Sequence, residues 1–137
     1  KNDIDVNRSV VDIELSKLKN DVYTFRLSNT EGNQLEFGIN NRDRYYFVDR
    51  SKSGQVDFSD KFANGISKAY FEKPLEKVNV QMVIDKTSIE LFYNHGETVM
   101  TEIFFPNSPM ESLKLVTLNP SATTIDHLRV SELGLKH

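Results

Sequence analysis

The chain has 137 residues, of which 38% are hydrophobic and 27% charged, and its formal net charge is −3. This composition is ordinary for one soluble globular domain with its own core. The slight negative charge, without a cluster of Lys and Arg, excludes a general nucleic-acid binder. The sequence contains no cysteine, which excludes a disulfide scaffold, a thiolate metal site and a cysteine nucleophile. No apolar run approaches the ~20 residues that a membrane-spanning helix needs.

Alternating patterns predict β-strands along most of the chain. Apolar and polar residues alternate with a period of two at residues 11–15, 23–27 and 35–39, which places one set of side chains on a core face. Runs rich in β-branched and aromatic residues predict further strands at residues 44–49, 78–85, 88–94, 99–105, 113–118 and 124–133. Many short strands with turns between them are typical of a sandwich or a barrel.

Turn residues separate the predicted strands. Residues 29–33 and 85–87 are predicted to form hairpin loops, and the Asn-His-Gly sequence at 94–96 tolerates the positive φ angles of a tight hairpin turn. The one helix candidate is residues 57–68, where apolar residues lie four apart. Because Gly65 interrupts this segment, we expect a turn or a short 3₁₀ piece there.

Two stretches resemble one known family. Residues 48–54 read Val-Asp-Arg-Ser-Lys-Ser-Gly, and residues 83–106 begin Val-Ile-Asp-Lys-Thr-Ser-Ile-Glu-Leu-Phe-Tyr-Asn-His-Gly-Glu and end Met-Thr-Glu-Ile-Phe-Phe-Pro. In this order and spacing they resemble the C-terminal β-sandwich of glycoside hydrolase family 32, which includes levanases, inulinases and invertases. Thr87 and His95 stand where that family often has Ser and Asp.

The resemblance implies an all-β fold of two antiparallel sheets, packed as a jelly-roll β-sandwich like the concanavalin A-like lectins and glucanases. Residues 1–137 would form a single domain, the C-terminal part of a larger fructan- or sucrose-cleaving enzyme whose N-terminal catalytic β-propeller is absent. The start at Lys1 instead of Met agrees with a piece of a longer polypeptide. No signal peptide is visible, and we expect a protein that is secreted, periplasmic or on the cell surface.

The catalytic motifs of that family are missing from the sequence. The nucleophile motif needs Trp and Asn-Asp-Pro, the acid/base motif needs Glu-Cys, and Arg42-Asp43 is not followed by Pro. The resemblance therefore implies that this domain is not an enzyme by itself. Among the other carboxylates Glu90 is the best candidate for an acid catalyst, since burial between apolar neighbours would raise its pKa. The alternative for Glu90 is a structural hydrogen bond or a salt bridge with Arg50.

Three functions remain open for such a domain. The first is structural: the sandwich packs against the propeller and stabilises it through an exposed apolar patch. Candidates for this patch are Tyr45, Tyr46 and Phe47, because the alternation of a strand places at least one of these rings on each face of the sheet. The second is a carbohydrate-binding module for terminal fructose units of fructan oligosaccharides, as in related modules of fructan hydrolases. The third is an unrelated protein-interaction sandwich. The three histidines lie far apart in sequence, so we expect no metal site and no cofactor.

The candidate carbohydrate-binding residues are Asp49, Arg50, Glu90 and Asn94. Asp49 and Arg50 offer acceptor and donor groups for sugar hydroxyls. Glu90, Phe92 and Asn94 are two residues apart, which places them on the same face of a strand. An aromatic ring on that face can stack on the apolar face of a sugar. The alternative for the loop after Asp49 is a self-braced turn, in which this carboxylate accepts backbone N–H groups. Phe92 itself is expected to face the core.

Overall fold

The computed structural model describes residues 4–5, 9–51, 66–103, 106, 108, 110–117 and 124–132. Every element within them is a β-strand: β1 (Ile4–Asp5), β2 (Ser9–Ser16), β3 (Val22–Ser28), β4 (Gln34–Asn40), β5 (Tyr45–Asp49), β6 (Ile66–Tyr70), β7 (Lys77–Ile84), β8 (Ser88–Tyr93), β9 (Thr98–Ile103), β10 (Ser112–Thr117) and β11 (Thr124–Glu132). The strands predicted from the sequence are β2–β5 and β7–β11. The end of the candidate loop, at residues 52–54, and residues 57–65 of the predicted turn lie outside the described residues.

The strands form two antiparallel sheets. A six-stranded sheet has the order β1-β10-β3-β4-β5-β6, and a five-stranded sheet has the order β11-β2-β7-β8-β9. Consecutive strands β3 to β6 pair as hairpins in one sheet, and β7 to β9 do so in the other. The predicted all-β sandwich is therefore confirmed.

The core lies between the two sheets and takes its buried residues mainly from β2–β5, β7 and β8, with Met100 of β9 and Leu113 of β10. Phe25 and Phe37 stack within the six-stranded sheet, with ring centroids 5.4 Å apart. Tyr46 of β5 stacks on Tyr93 of β8, with centroids 3.8 Å apart, and so joins the two sheets. Both tyrosines are buried, which excludes water from the apolar layer between the sheets. The face of each sheet that points away from this layer is called its outer face below.

The prediction that Phe92 faces the core is wrong. In β8 the fully buried side chains are Ile89, Leu91 and Tyr93, whereas Phe92 is half-buried on the outer face of the five-stranded sheet. The run from Ile89 to Tyr93 contains large apolar or aromatic residues at both odd and even positions, which point to opposite faces of the strand. A period of two cannot assign the core face of such a run, because either choice buries large apolar side chains.

Strand β6 was not predicted. The expected turn at residues 57–68 overlaps it, since Ile66 and the next two residues begin β6. The residues of β6 are half-buried or exposed, and Tyr70 is 69% exposed. This strand is defined by pairing with β5 more than by burial, so its hydrophobic pattern is weak.

The turn after β8 has the geometry expected from its sequence. Asn94 and His95 have φ angles of 53° and 63°, and the Gly96 N–H donates a 3.2 Å hydrogen bond to the carbonyl of Tyr93. Positive φ at both central residues is the mark of a type I′ turn, whose twist matches that of the flanking strands. The hairpin loop after β3 is also confirmed, because the Asn29 side chain accepts hydrogen bonds from backbone N–H groups inside the loop.

The stacked tyrosines of the core make stability sensitive to alkaline pH. Burial first, and the nearby Glu97 second, raise the pKa of Tyr46 from 10.0 to about 12. Burial, and then Tyr46, raise the pKa of Tyr93 even further. Below pH 10 both rings are neutral in the folded and unfolded states, so their contribution to stability is fully present. Above pH 10 the unfolded chain ionises first, so the free energy of unfolding falls as pH rises through the folded-state values.

Replacing Tyr93 with phenylalanine is expected to stabilise the chain by up to about 1 kcal/mol at pH 7. The Tyr93 hydroxyl is buried and has no hydrogen-bond partner among the described residues, so its loss removes an unpaired polar group. The same change is expected to weaken the loss of stability above pH 10. Urea unfolding at pH 7, 9, 10 and 11 measures both effects, with Tyr70→Phe at an exposed position as the control. Destabilisation by more than about 1 kcal/mol at pH 7 would mean that the hydroxyl has a strong partner in the folded state.

Candidate functional site

Asp49 ends β5 on the outer face of the six-stranded sheet. Its Oδ1 accepts a 3.0 Å hydrogen bond from the Ser51 N–H and a 2.7 Å hydrogen bond from the Ser51 hydroxyl. The carboxylate therefore braces the chain where it leaves the strand, as the self-braced alternative expected. In the strand register Asp49 lies directly opposite Glu36 of β4.

A small polar pocket lies at this pair of carboxylates. It is lined by Gln34, Glu36, Asp49 and Ser51 and has a volume of about 60 Å³; it is called the polar pocket below. Like charges directly opposite each other on neighbouring strands repel. The Arg26 side chain offsets this repulsion, because its Nε donates a 2.8 Å hydrogen bond to Oε2 of Glu36.

Three aromatic rings lie beside the polar pocket on the same outer face. The rings of Tyr45 and Tyr70 are 5.3 Å apart, and those of Tyr45 and Phe47 are 6.4 Å apart, both pairs in edge-to-face arrangements. The Lys68 Nζ lies 4.6 Å from the centroid of the Tyr45 ring. These contacts orient the rings at the surface. Tyr45, Phe47, Lys68 and Tyr70 together are called the aromatic face.

Arg50 points away from this site and connects the two sheets. Its Nη1 lies 3.3 Å from the carbonyl oxygen of Ile103 and 3.4 Å from Oε1 of Glu102, both in β9 of the five-stranded sheet. The guanidinium thus forms an ion pair with Glu102, where the sequence suggested Glu90. This contact joins the two sheets at one side of the sandwich and gives Arg50 a structural role.

Glu90 lies on the outer face of the other sheet. It is exposed, and its partners on the neighbouring strands are Val83 and Thr101. The expected burial of Glu90 is therefore wrong, because Ile89 and Leu91 point to the core side of β8. No carboxylate lies opposite it in the register, so the paired-carboxylate geometry of glycoside hydrolysis is not formed there.

Asn94 has a structural role in the turn after β8. Its backbone N–H donates a 2.8 Å hydrogen bond to the carbonyl of Asn79, and its Oδ1 accepts a 3.0 Å hydrogen bond from the Asn79 N–H. Its positive φ angle also suits an asparagine. These contacts fix the end of β8 against β7.

The four candidate residues therefore do not form one site. Asp49 is in the polar pocket, Arg50 bridges the sheets, and Glu90 and Asn94 belong to the five-stranded sheet. Sequence reasoning missed Glu36, the partner of Asp49. Its signal was the alternation in β4, which places Glu36 on the same outer face as Asp49 once the two strands are paired.

Among the described residues, no group of three or more His, Cys, Asp or Glu side chains could hold a metal ion. The described part of the chain also contains no helix that is long and apolar enough to cross a membrane.

Comparison with known proteins assigns the family. The model of the family described as "Glycosyl hydrolases family 32 C terminal" matches residues 2–132. The chain belongs to this family. The match spans both sheets, so the resemblance carried by residues 48–54 and 83–106 extends to the whole sandwich.

Curated relatives of this family 32 domain include a levanase and an exo-inulinase. A levanase of Bacillus subtilis is 31% identical over 97 residues, which cover 71% of this chain and 14% of the levanase. An extracellular exo-inulinase of Aspergillus niger is 32% identical over 71 residues, which cover 52% of this chain and 13% of the inulinase. The chain thus spans about a seventh of the length of these two relatives.

A solved structure has the same fold. The exo-inulinase of Aspergillus awamori superposes with a TM-score of 0.75 and 24% sequence identity, covering 96% of this chain and 26% of the inulinase chain. At this level of identity the likeness supports the fold of the family 32 C-terminal domain and nothing further.

Proposed function

We propose that this domain is a non-catalytic C-terminal module of a fructan- or sucrose-cleaving glycoside hydrolase, and that it stabilises the catalytic β-propeller of the same polypeptide. The family match over residues 2–132 carries this proposal. The missing catalytic motifs of the family and the exposed position of Glu90 support a non-catalytic role. Because relatives include extracellular exo-inulinases, we place the parent protein outside the cytoplasm.

The surface that we assign to the propeller is the exposed edge strand β9. Val99 and Ile103 are 51% and 50% exposed, and they lie on the outer face of the five-stranded sheet opposite Phe92 and Ser88. Exposed aliphatic side chains on an edge strand carry an aggregation cost unless a partner covers them. The relatives are several times longer than this chain. We therefore propose that another part of the parent polypeptide, the propeller, covers these side chains. Val99 and Ile103 are called the aliphatic edge.

Placing Asp at both positions of the aliphatic edge tests this contact. In the longer polypeptide, Val99→Asp with Ile103→Asp is expected to lower the melting temperature by about 4 °C or more, because two charges enter an apolar interface. In the isolated chain the same change is expected to have little effect, since both side chains are half in water. Scanning calorimetry of both forms measures the difference.

Ile66→Asn is the control, because Ile66 is 47% exposed on the outer face of the other sheet and a neutral side chain places no further carboxylate opposite Asp49. It is expected to shift neither melting temperature by more than about 1 °C. If Ile66→Asn destabilises the longer polypeptide and the aliphatic-edge variant does not, the docking surface is assigned to the wrong sheet.

Fructan binding is the second candidate function. The observation that favours it is the polar pocket beside the aromatic face, since sugar sites combine a few oriented polar groups with an aromatic ring. Asp49 is the sequence candidate that lies in this place.

A further inference from the structure

We propose that the polar pocket and the aromatic face form one binding site for oligosaccharides of fructose. This inference rests on the fructan-binding function proposed above and deepens it by giving the site and the way in which the sugar lies. Of the residues suggested by sequence, it retains Asp49 and excludes Arg50, Glu90 and Asn94.

The two parts of the site are continuous along β5. Asp49 in the pocket, Phe47 and Tyr45 alternate on the same outer face, so successive side chains are about 6.6 Å apart. In β6, Lys68 and Tyr70 lie opposite Phe47 and Tyr45. One sugar unit is of similar length to this spacing. A chain of two or three units would therefore reach from the carboxylates to the tyrosine rings.

The chemistry of the two parts is complementary to a sugar. The carboxylates of Glu36 and Asp49 accept hydrogen bonds from hydroxyl groups, and the amide of Gln34 both donates and accepts them. The negative charge of the pocket excludes acidic ligands, since Arg26 offsets only one carboxylate. The rings of Phe47 and Tyr45 offer apolar surface to the C–H groups of a neutral sugar.

The size of the pocket decides how the sugar lies. Its volume of about 60 Å³ is well below that of the ~150 Å³ cavity that holds a benzene ring in another protein. It therefore has room for a hydroxymethyl group or two hydroxyls, but not for a whole ring. The sugar must lie along the sheet with only its polar substituents in the pocket. Fructofuranosyl units expose primary hydroxymethyl groups, which fits such a pocket.

Titration calorimetry of the chain with levan-derived and inulin-derived oligosaccharides tests the site, with cello-oligosaccharides as the control ligand. Phe47→Ala and Glu36→Gln are expected to weaken binding of the fructan oligosaccharides about tenfold or more, which corresponds to about 1.4 kcal/mol. The matched variants on the other sheet are Phe92→Ala and Glu90→Gln, which are expected to change the dissociation constant less than about twofold. Urea unfolding of each variant checks that it is folded.

Three outcomes overturn the proposed site. The first is no heat with either fructan, and the second is equal heat with the cellulose-derived control. The third is fructan binding that is lost in Phe92→Ala or Glu90→Gln but is retained in Phe47→Ala and Glu36→Gln. The third outcome would keep fructan binding and move it to the other sheet. The melting experiment on the aliphatic edge does not depend on any of these results, so failure of the sugar site and failure of the supporting role are distinguished.

Discussion

Replacing Phe37 with alanine is expected to lower the free energy of unfolding by about 3–5 kcal/mol. Phe37 is fully buried in the middle of β4 and stacks on Phe25 with ring centroids 5.4 Å apart. Its truncation removes apolar contacts and leaves a cavity between tightly paired strands, which cannot collapse without breaking their register. A loss of this size is a large share of the ~5–15 kcal/mol by which domains are stable.

Phe92→Ala is the matched control for this prediction. Phe92 is half-buried on the outer face of β8, so its removal is expected to cost only about 1 kcal/mol. Urea unfolding of both variants, with m-values compared, measures the difference. Equal losses for Phe37→Ala and Phe92→Ala would contradict the assigned faces of the two strands.

Replacing Asn41 with alanine is expected to cost about 3 kcal/mol, although this residue lies in a connection between strands. Asn41 is 1% exposed. Its Nδ2 donates hydrogen bonds of 2.9 and 2.8 Å to the carbonyls of Lys19 and Leu75, and its Oδ1 accepts a 2.8 Å bond from the Leu75 N–H. The side chain therefore makes the hydrogen bonds that water would otherwise make to three backbone groups, which lie in two other connections between strands. Alanine removes this partner from the carbonyl and the N–H of Leu75, whereas the carbonyl of Lys19 keeps the hydrogen bond from the Asp21 N–H.

Asn20→Ala is the control for Asn41→Ala, because Asn20 is exposed and is expected to change stability by less than about 0.5 kcal/mol. Asn41→Asp gives a second measurement, since it keeps the shape and loses the donors to the carbonyls of Lys19 and Leu75. It is expected to destabilise at pH 7 by at least as much as alanine, because a charge is then buried beside two carbonyl oxygens. A loss below about 1 kcal/mol for both variants would show that water takes over the hydrogen bonds.

The fold could be predicted from the sequence because most core strands are amphipathic. From Val11 to Leu15 in β2 and from Tyr23 to Leu27 in β3, every second residue is apolar and buried, so pattern and burial coincide there. The pattern failed where it was ambiguous or weak. Around Phe92 both faces of β8 are apolar, and around Ile66 the strand is held by pairing with β5 rather than by burial.

The candidate site was predicted less well for a different reason. The proximity of Glu36 and Asp49 depends on the register between β4 and β5, which no local pattern gives. Arg50 was chosen for its charge, but its contact with Glu102 needs the packing of one sheet on the other. Asn41 carried no signal at all, since an Asn-Asn-Arg-Asp sequence looks like a solvated turn until its neighbours are known.

We propose that this family 32 domain supports the catalytic propeller and does not itself catalyse hydrolysis. The most direct test measures the release of fructose from levan, inulin and sucrose by the isolated chain, with the longer polypeptide assayed under the same conditions. We expect fructose release by the longer polypeptide and none by the chain. Release by the chain that is proportional to its concentration, and that is abolished by Asp49→Asn or Glu36→Gln, would contradict the non-catalytic role. It would make the polar pocket an active site.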